Sequence, residues 1–234
     1  MHPSDAAGRY RSRILIRHGA KVILGARRED RLAQLAEELG EHAVFQRADV
    51  SNETDMNALA DLALSSFGKI DALFANAGIM PGGNLSEQKI DDWKRMVDCN
   101  INGVLHAIAA VLPQFLRQKS SHIIVTSSAA GLRSVPGNAV YCGTKHFVRA
   151  LPDSFRMEAV NEGSGIKTTT IYPGAVQTEL LNSVAPSETK TMVEAFYREA
   201  APDPNVIADA VLYALSQPPQ VDVSDLVIRS IKKA

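Results

Sequence analysis

With 234 residues, 45% of them hydrophobic and 22% charged, and a net charge of −1 at pH 7, the chain has the length and balance of one α/β domain and excludes a globally basic nucleic-acid binder. Cys99 and Cys142 form no disulfide or metal pattern and the six histidines are scattered, so reduced thiols, a cytoplasmic setting and no metal are expected. The N-terminus lacks a signal peptide's apolar core, and the most apolar helical stretch, 103–116, carries His106 and Pro113 and is short for a bilayer, so no membrane partner is expected.

A first helix runs from near Gly8 to Gly19, a residue suited to ending it. Arg9, Arg13 and Arg17 share one of its faces, with Arg11 nearby; such a stripe can attract phosphate or nucleic acid, but a solvated face is the expectation. Lys21–Ala26 reads as a strand, followed by Arg27 and Arg28, a helix over Asp30–Leu39, and a strand over Ala43–Arg47 that leads to Asp49 and Val50. A helix over Met56–Phe67 turns Leu59, Leu62 and Ala63 inward, and a strand over Ile70–Ala75 ends at Asn76, Ala77 and Gly78. Small residues there let the backbone approach a ligand closely, although such a turn can be purely structural. The long helix Asp91–Leu116 is expected to bury Trp93, Met96, Val97, Val104 and Val111. Asn100 lies on that buried side, where a lone asparagine is ordinarily a hydrogen-bonded core group.

The stretch His122–Ala150 carries the chemistry. His122–Thr126 is apolar and β-branched, as a strand buried on both faces requires, and Ser128 falls just past its carboxyl end. In open α/β sheets that edge is where ligands bind. Pro136 and Gly137 break the chain before a helix on which Tyr141 and Lys145 stand one turn apart on one face. A phenol with a pKa of about 10 exchanges protons poorly at neutral pH, but an adjacent ammonium favours the phenolate. A shift of about three units corresponds to roughly 4 kcal/mol. Tyr141 and Lys145 are therefore expected to form an acid/base pair in which Lys145 lowers the phenol, with the Ser128 hydroxyl placed for a substrate oxygen. Taken alone, the pair is also an ordinary helix-surface pattern.

The same helix is expected to continue to about Asn161, with a kink at Pro152, which removes a backbone hydrogen bond at a cost of about 3 kcal/mol or more. Ile166–Tyr172 is a strand, Glu179–Asn205 a polar, proline-punctuated lid, Val206–Ser216 a helix and Asp225–Ser230 the last strand.

Ser128, Tyr141 and Lys145 inside SSAAG and YCGTK, with ANAG at 75–78, CNINGVL at 99–105 and YPGAVQT at 172–178, resemble the motifs of the short-chain dehydrogenase/reductase family. The resemblance covers nearly the whole chain from Gly19 onward. It implies an α/β fold with a doubly wound, Rossmann-type parallel sheet ordered 3-2-1-4-5-6-7, and a small-molecule substrate reduced or oxidised with a nicotinamide cofactor. It makes Tyr141 the acid/base and has Lys145 hold the nicotinamide ribose. Ser128 then binds the substrate oxygen, and Asn100 holds a water that links Lys145 to solvent. It places Asp49 and Val50 at adenine, Asn76, Ala77, Gly78, Pro173 and Gly174 along the cofactor, and Val176 and Thr178 at the nicotinamide carboxamide. At the end of the second strand an acidic residue would serve a ribose 2'-hydroxyl. Arg27 and Arg28 suit a 2'-phosphate and so NADP(H), if they are not plain surface residues. The tail PPQVDVSDLVIRS resembles the branch that acts on short 3-oxo acids, 3-hydroxy acids or serine, for which Arg133 or Arg198 could clamp a carboxylate or simply form an exposed salt bridge. The family implies a homodimer or homotetramer.

The chain departs from the pattern at its start. Against Thr-Gly-x-x-x-Gly-x-Gly only Gly8 survives, and the first strand would lie before Met1. The expectation is an N-terminally truncated single domain, residues 1–234, that lacks the first strand, with the second strand able to pair directly with the fourth. The alternative function is a non-catalytic protein or fragment that keeps the scaffold without the cofactor.

Overall fold

The computed structural model describes residues 6–180, 191, 194, 195, 197–199 and 201–232. Helix α1 (Ala6–Arg17) leads into β1 (Val22–Ala26), α2 (Glu29–Leu39), β2 (Ala43–Arg47), α3 (Glu53–Phe67) and β3 (Ala72–Ala75). Then follow α4 (Ile90–Val97), α5 (Gly103–Gln118), β4 (Ser121–Thr126), α6 (Ala139–Asn161), β5 (Ile166–Pro173), α7 (Asn205–Leu215) and β6 (Asp225–Ile228). Local chemistry sets several boundaries. Glu29 and Asp30 oppose the positive start of α2. The Asn52 side chain caps α3 by accepting from the Thr54 amide at 3.0 Å. Gly68, at φ 76°, ends the same helix, its amide donating a hydrogen bond to the Leu64 carbonyl.

All strand pairs are parallel, and alternation along the strands feeds two layers of helices. In β4, Ile123 and Val125 join Phe115 of α5 and Val148 of α6 on one face, while Ile124 joins Ile171, Ile207 and Val211 against α7 on the other. In β1, Leu24 and Ala26 meet Leu32 and Leu35 of α2, whereas Ile23 packs toward the α3 side. This is the doubly wound arrangement.

The sheet is broken, however. Strand β1 pairs only with β2, and β3 heads a separate run β3-β4-β5-β6 among the described residues. Direct pairing of the second and fourth family strands, one expectation for a chain without the first, therefore does not occur. Helix α3 spans the break: Leu59 lies where a Cβ on Gly25 of β1 would meet its Cδ1 at 2.4 Å, and it shares with Leu73 of β3 the cluster around Ala48, Met56 and Ala107. On the opposite face α1 packs against α7, its Leu15 entering the Ile124–Ile171 cluster.

On helix α1, Arg13 and Arg17 are exposed, as a solvated face requires, whereas the neighbouring Arg11 is not. Arg11 is 5% exposed, with its guanidinium 5.3 Å above the Phe74 ring, and Arg13 pairs with Glu38 at 2.6 Å. The expected stripe on α4 and α5 holds for Met96, Val104 and Val111, whereas Val97 is exposed. The helical run from Ile90 to Gln118 spans 29 residues, which by length and composition alone is enough to cross a bilayer and more than the stretch 103–116 suggested. Its apolar face, including Val104, Val111 and Phe115, is packed on the sheet and α3. Helix α6 runs on through buried Pro152, whose carbonyl accepts from Thr168 Oγ1 at 3.3 Å. At the opening of β4, buried His122 bonds Thr169 Oγ1 through Nε2 at 2.7 Å. Desolvation, aided by Lys167, holds the His122 pKa at about 4, so the ring is neutral at pH 7.

Candidate active site

The site is built at the carboxyl ends of the strands, and each local fold has a reason. Ser128 follows β4 and closes its own turn, its Oγ accepting from the Ala130 amide at 3.1 Å. Gly131 then passes against α6 where a side chain would not fit: a Cβ there would lie 2.4 Å from Ser127 Oγ and 2.6 Å from the Lys145 carbonyl oxygen. The Ser127 hydroxyl donates to that carbonyl at 2.8 Å and fixes the loop to the helix. On α6, Tyr141 and Lys145 are both buried, as their one-turn spacing on the inner face requires. Between α4 and α5 the helix loosens into a π-helical stretch, Asp98–Asn102. Such a stretch often re-aims a residue at a functional site, and here it holds Asn100, 1% exposed.

Asn100 Nδ2 donates to the Ile79 carbonyl at 2.9 Å and to Thr144 Oγ1 at 3.1 Å, and its Oδ1 accepts from the Ile79 amide at 2.9 Å. Asn100 is thus a satisfied core amide, as a lone buried asparagine ordinarily is, and it ties the loop after β3 to α6. Gly78 brings that loop close, for a Cβ on it would sit 3.4 Å from Asn100 Oδ1 and 3.5 Å from Lys145 Nζ. The Ser128 hydroxyl lies near enough to the Tyr141 phenol to favour its ionised form. All four expected catalytic residues therefore converge. A recess lined by Pro81, Trp93, Met96, Asn138 and Val140 opens beside Tyr141.

The electrostatics differ from the sequence expectation. Lys145 Nζ donates to the Thr126 carbonyl at 2.8 Å and stands 5.8 Å from the centroid of the Tyr141 ring. Burial raises the Tyr141 phenol above its ordinary value, and the nearby Ser128 hydroxyl offsets this only in part. Lys145 does not lower it here, because desolvation of a phenolate outweighs an ammonium directed at a backbone carbonyl. Burial also pulls Lys145 down to about 8, with Cys99 opposing.

The expected cofactor residues line the same edge in strand order. Arg27 is exposed after β1, and Arg28 caps α2. Asp49 accepts from the Ser51 amide and hydroxyl at 3.0 and 2.7 Å; burial raises its pKa, but those bonds and Arg27 and Arg47 prevail and hold it low. The Val50 carbonyl meets His106 Nδ1 at 3.0 Å, and its side chain packs on Gly103. Asn76 Oδ1 accepts from Thr126 Oγ1 at 2.8 Å, with Ala77 and Gly78 beyond. Pro173 ends β5, the Gly174 amide donates to the Ile228 carbonyl at 2.8 Å, and Thr178 Oγ1 accepts from the Leu180 amide at 3.3 Å. Val176 is buried in the core beside Ile171 and Ile207, so its side chain braces the loop from beneath. Arg133 and Arg198 are exposed, and most of the expected lid falls outside the described residues.

Sequence reasoning missed Ser127, Thr126, Thr144 and the pair Arg31 and Glu179. The first three act through backbone or second-neighbour bonds that no spacing reveals. Glu179 reaches Arg28 and Arg31 from the far side of the chain, at 2.6 and 2.7 Å.

This parallel fold, with Asn100, Tyr141 and Lys145 buried and Ser128 half-buried at one edge, is that of an oxidoreductase, and the chain belongs to the short chain dehydrogenase family, whose model matches residues 4–189. An uncharacterized oxidoreductase of Listeria monocytogenes is 44% identical over 229 residues, covering 96% of this chain and 92% of that one. One from Staphylococcus saprophyticus is 42% identical, covering 97% and 92%. Among solved structures, the closed form of a serine dehydrogenase complexed with NADP+ superposes with a TM-score of 0.91 at 28% identity, covering 99% of this chain and 93% of the other. A 3-ketoacyl-(acyl-carrier-protein) reductase of Brucella melitensis complexed with NADH gives 0.85 at 25% identity, with 97% and 93% covered.

Proposed function

We propose that this chain is an NADP(H)-dependent oxidoreductase that interconverts a carbonyl and a secondary alcohol, with a short 3-oxo or 3-hydroxy acid as the substrate class. The observation that carries the reading is the convergence of Ser128, Tyr141, Lys145 and Asn100 at the carboxyl edge beside a recess. The nicotinamide, when bound, supplies or accepts the hydride. Tyr141 passes its phenolic proton to the substrate oxygen as that oxygen gains charge, and takes it back in the other direction. Ser128 hydrogen-bonds the same oxygen, and Lys145, mostly ionised at pH 7 with a pKa of about 8, holds the nicotinamide ribose. Asn100 positions α6 and the loop after β3.

The fit to a dinucleotide is good at both ends: cationic Arg28 and Arg31 at the end of β1, and Tyr141, Lys145 and the loop after β5 at the other. Residues 1–234 act as one dinucleotide-binding and catalytic domain, in the cytoplasm, where free Cys99 and Cys142 stay reduced. The assembly is a homodimer or homotetramer.

A second reading is favoured by the broken sheet: a chain that keeps the scaffold but holds no cofactor. Fluorescence titration with NADPH beside NADH separates the two. Micromolar NADPH affinity with weaker NADH binding is expected, and a cooperatively melting chain that binds neither nucleotide would establish the second reading.

A further inference from the structure

Among the described residues, a cluster of two arginines on one carboxylate lies where a cofactor phosphate is proposed to bind. Glu179 uses both carboxylate oxygens, Oε2 accepting from Arg28 Nη2 at 2.6 Å and Oε1 from Arg31 Nη1 at 2.7 Å. Short, charge-assisted bonds from two guanidinium groups to two oxygens of one anion are also what a phosphate monoester would receive. Both arginines belong to the first turn of α2 or its cap, where the helix dipole adds to the attraction.

The position of Glu179 gives the contact its meaning. It directly follows Thr178, on the loop after β5, whereas Arg28 and Arg31 follow β1 in the other sheet. The bridge therefore crosses the break in the sheet and spans the carboxyl edge between the end of β1 and the loop after β5. A dinucleotide extended from Arg28 toward Tyr141 and Lys145 has to follow the same course. All three side chains are 36–38% exposed, so the bridge is screened by solvent and replaceable by another anion.

We infer that Glu179 is a built-in occupant of an anion site made by Arg28 and Arg31, and that a cofactor carrying a 2'-phosphate binds by displacing it. The inference rests on the proposed NADP(H) reading and adds a specificity residue to it. Glu179 opposes the phosphorylated cofactor and leaves a cofactor without that phosphate largely unaffected, so it narrows the preference that Arg28 and Arg31 create. Linkage makes the effect reciprocal: phosphate on the arginines releases Glu179 and with it the start of the segment after β5.

The test is equilibrium binding of NADPH, NADH and 2',5'-ADP to wild type, Glu179→Gln, Glu179→Ala, Arg31→Ala and the double variant Arg31→Ala/Glu179→Gln, each checked for a cooperative melt. Removing the Glu179 charge is expected to tighten NADPH and 2',5'-ADP by about three- to tenfold and to move NADH by less than about twofold. Arg31→Ala is expected to weaken NADPH and to shrink the gain from Glu179→Gln. Unchanged or weaker NADPH binding in both Glu179 variants, with wild type binding normally, would overturn the inference and leave the enzyme reading standing. Tightened 2',5'-ADP without any NADPH binding would support the inference and remove the enzyme reading. No ligand bound by any folded variant would overturn both.

Discussion

Tyr141→Phe is expected to lower turnover by about 10²- to 10⁴-fold, roughly 3 to 5 kcal/mol of barrier, while NADPH affinity stays within a few fold. The variant removes one oxygen atom and keeps the ring, which projects from α6 and is 5% exposed. Folding should therefore be nearly unaffected, and the lost group is the one that exchanges a proton with the substrate. Because burial lifts the phenol above its ordinary value, the free chain holds Tyr141 protonated across neutral pH, so the reductive direction finds its proton in place. Steady-state kinetics with a 3-oxo acid, beside nucleotide titration and a thermal melt, would check it. A variant retaining more than about a tenth of wild-type turnover would move the proton to another group.

Gly131→Ala is expected to damage the site without touching any chemically active atom. The new methyl would sit 2.6 Å from the Lys145 carbonyl oxygen and 2.9 Å from its carbon, and backbone inside a helix cannot yield as a side-chain tip can. Either the loop carrying Ser128 moves out or α6 moves away. Overpacking of this kind costs about 1 to 3 kcal/mol. A displacement of about 1 Å between Ser128 and Tyr141 lowers turnover by about 10²-fold. The expected signature is a drop in melting temperature together with a fall in kcat. Wild-type kcat with a lowered melting temperature would show that the loop can shift without changing the Ser128–Tyr141 geometry.

Much of this was legible because strands and helices here follow simple periodicities. β2 occupies Ala43–Arg47 as the apolar run predicts, α6 ends at Asn161, and Ser128, Tyr141 and Lys145 come together because one strand end and one helix face hold them. What stayed hidden depends on solvation or on contacts across the chain. Spacing puts Lys145 one turn from Tyr141, but only the structure shows the ammonium bonded to the Thr126 carbonyl and the phenol desolvated. Val97 fits the apolar stripe of a regular helix, yet the π-helical stretch at Asp98–Asn102 follows it and Val97 is exposed. Arg11 reads as a neighbour of a solvated charged face, and its guanidinium lies instead over Phe74 of β3. Glu179 stands 151 residues from Arg28, beyond the reach of any local signal.

The break between the two sheets is expected to divide the molecule into units of unequal stability. β1, α2 and β2 close a small cluster around Leu24, Leu32 and Leu35, while β3 to β6 share the larger clusters on both faces. Among the described residues no continuous ladder transmits cooperativity from one to the other; α1, α3 and the Glu179 bridge do so through side chains. Amide protons of β1 and β2 are therefore expected to exchange for deuterium at least about tenfold faster than those of β4 and β5, an opening free energy lower by about 1.4 kcal/mol or more. Uniform protection across both sheets would mean that α3 fuses them into one cooperative unit. Under the unequal outcome, a ligand that reaches from Arg28 to Lys145 acts as a splint, and cofactor occupancy would set how long the smaller unit stays closed.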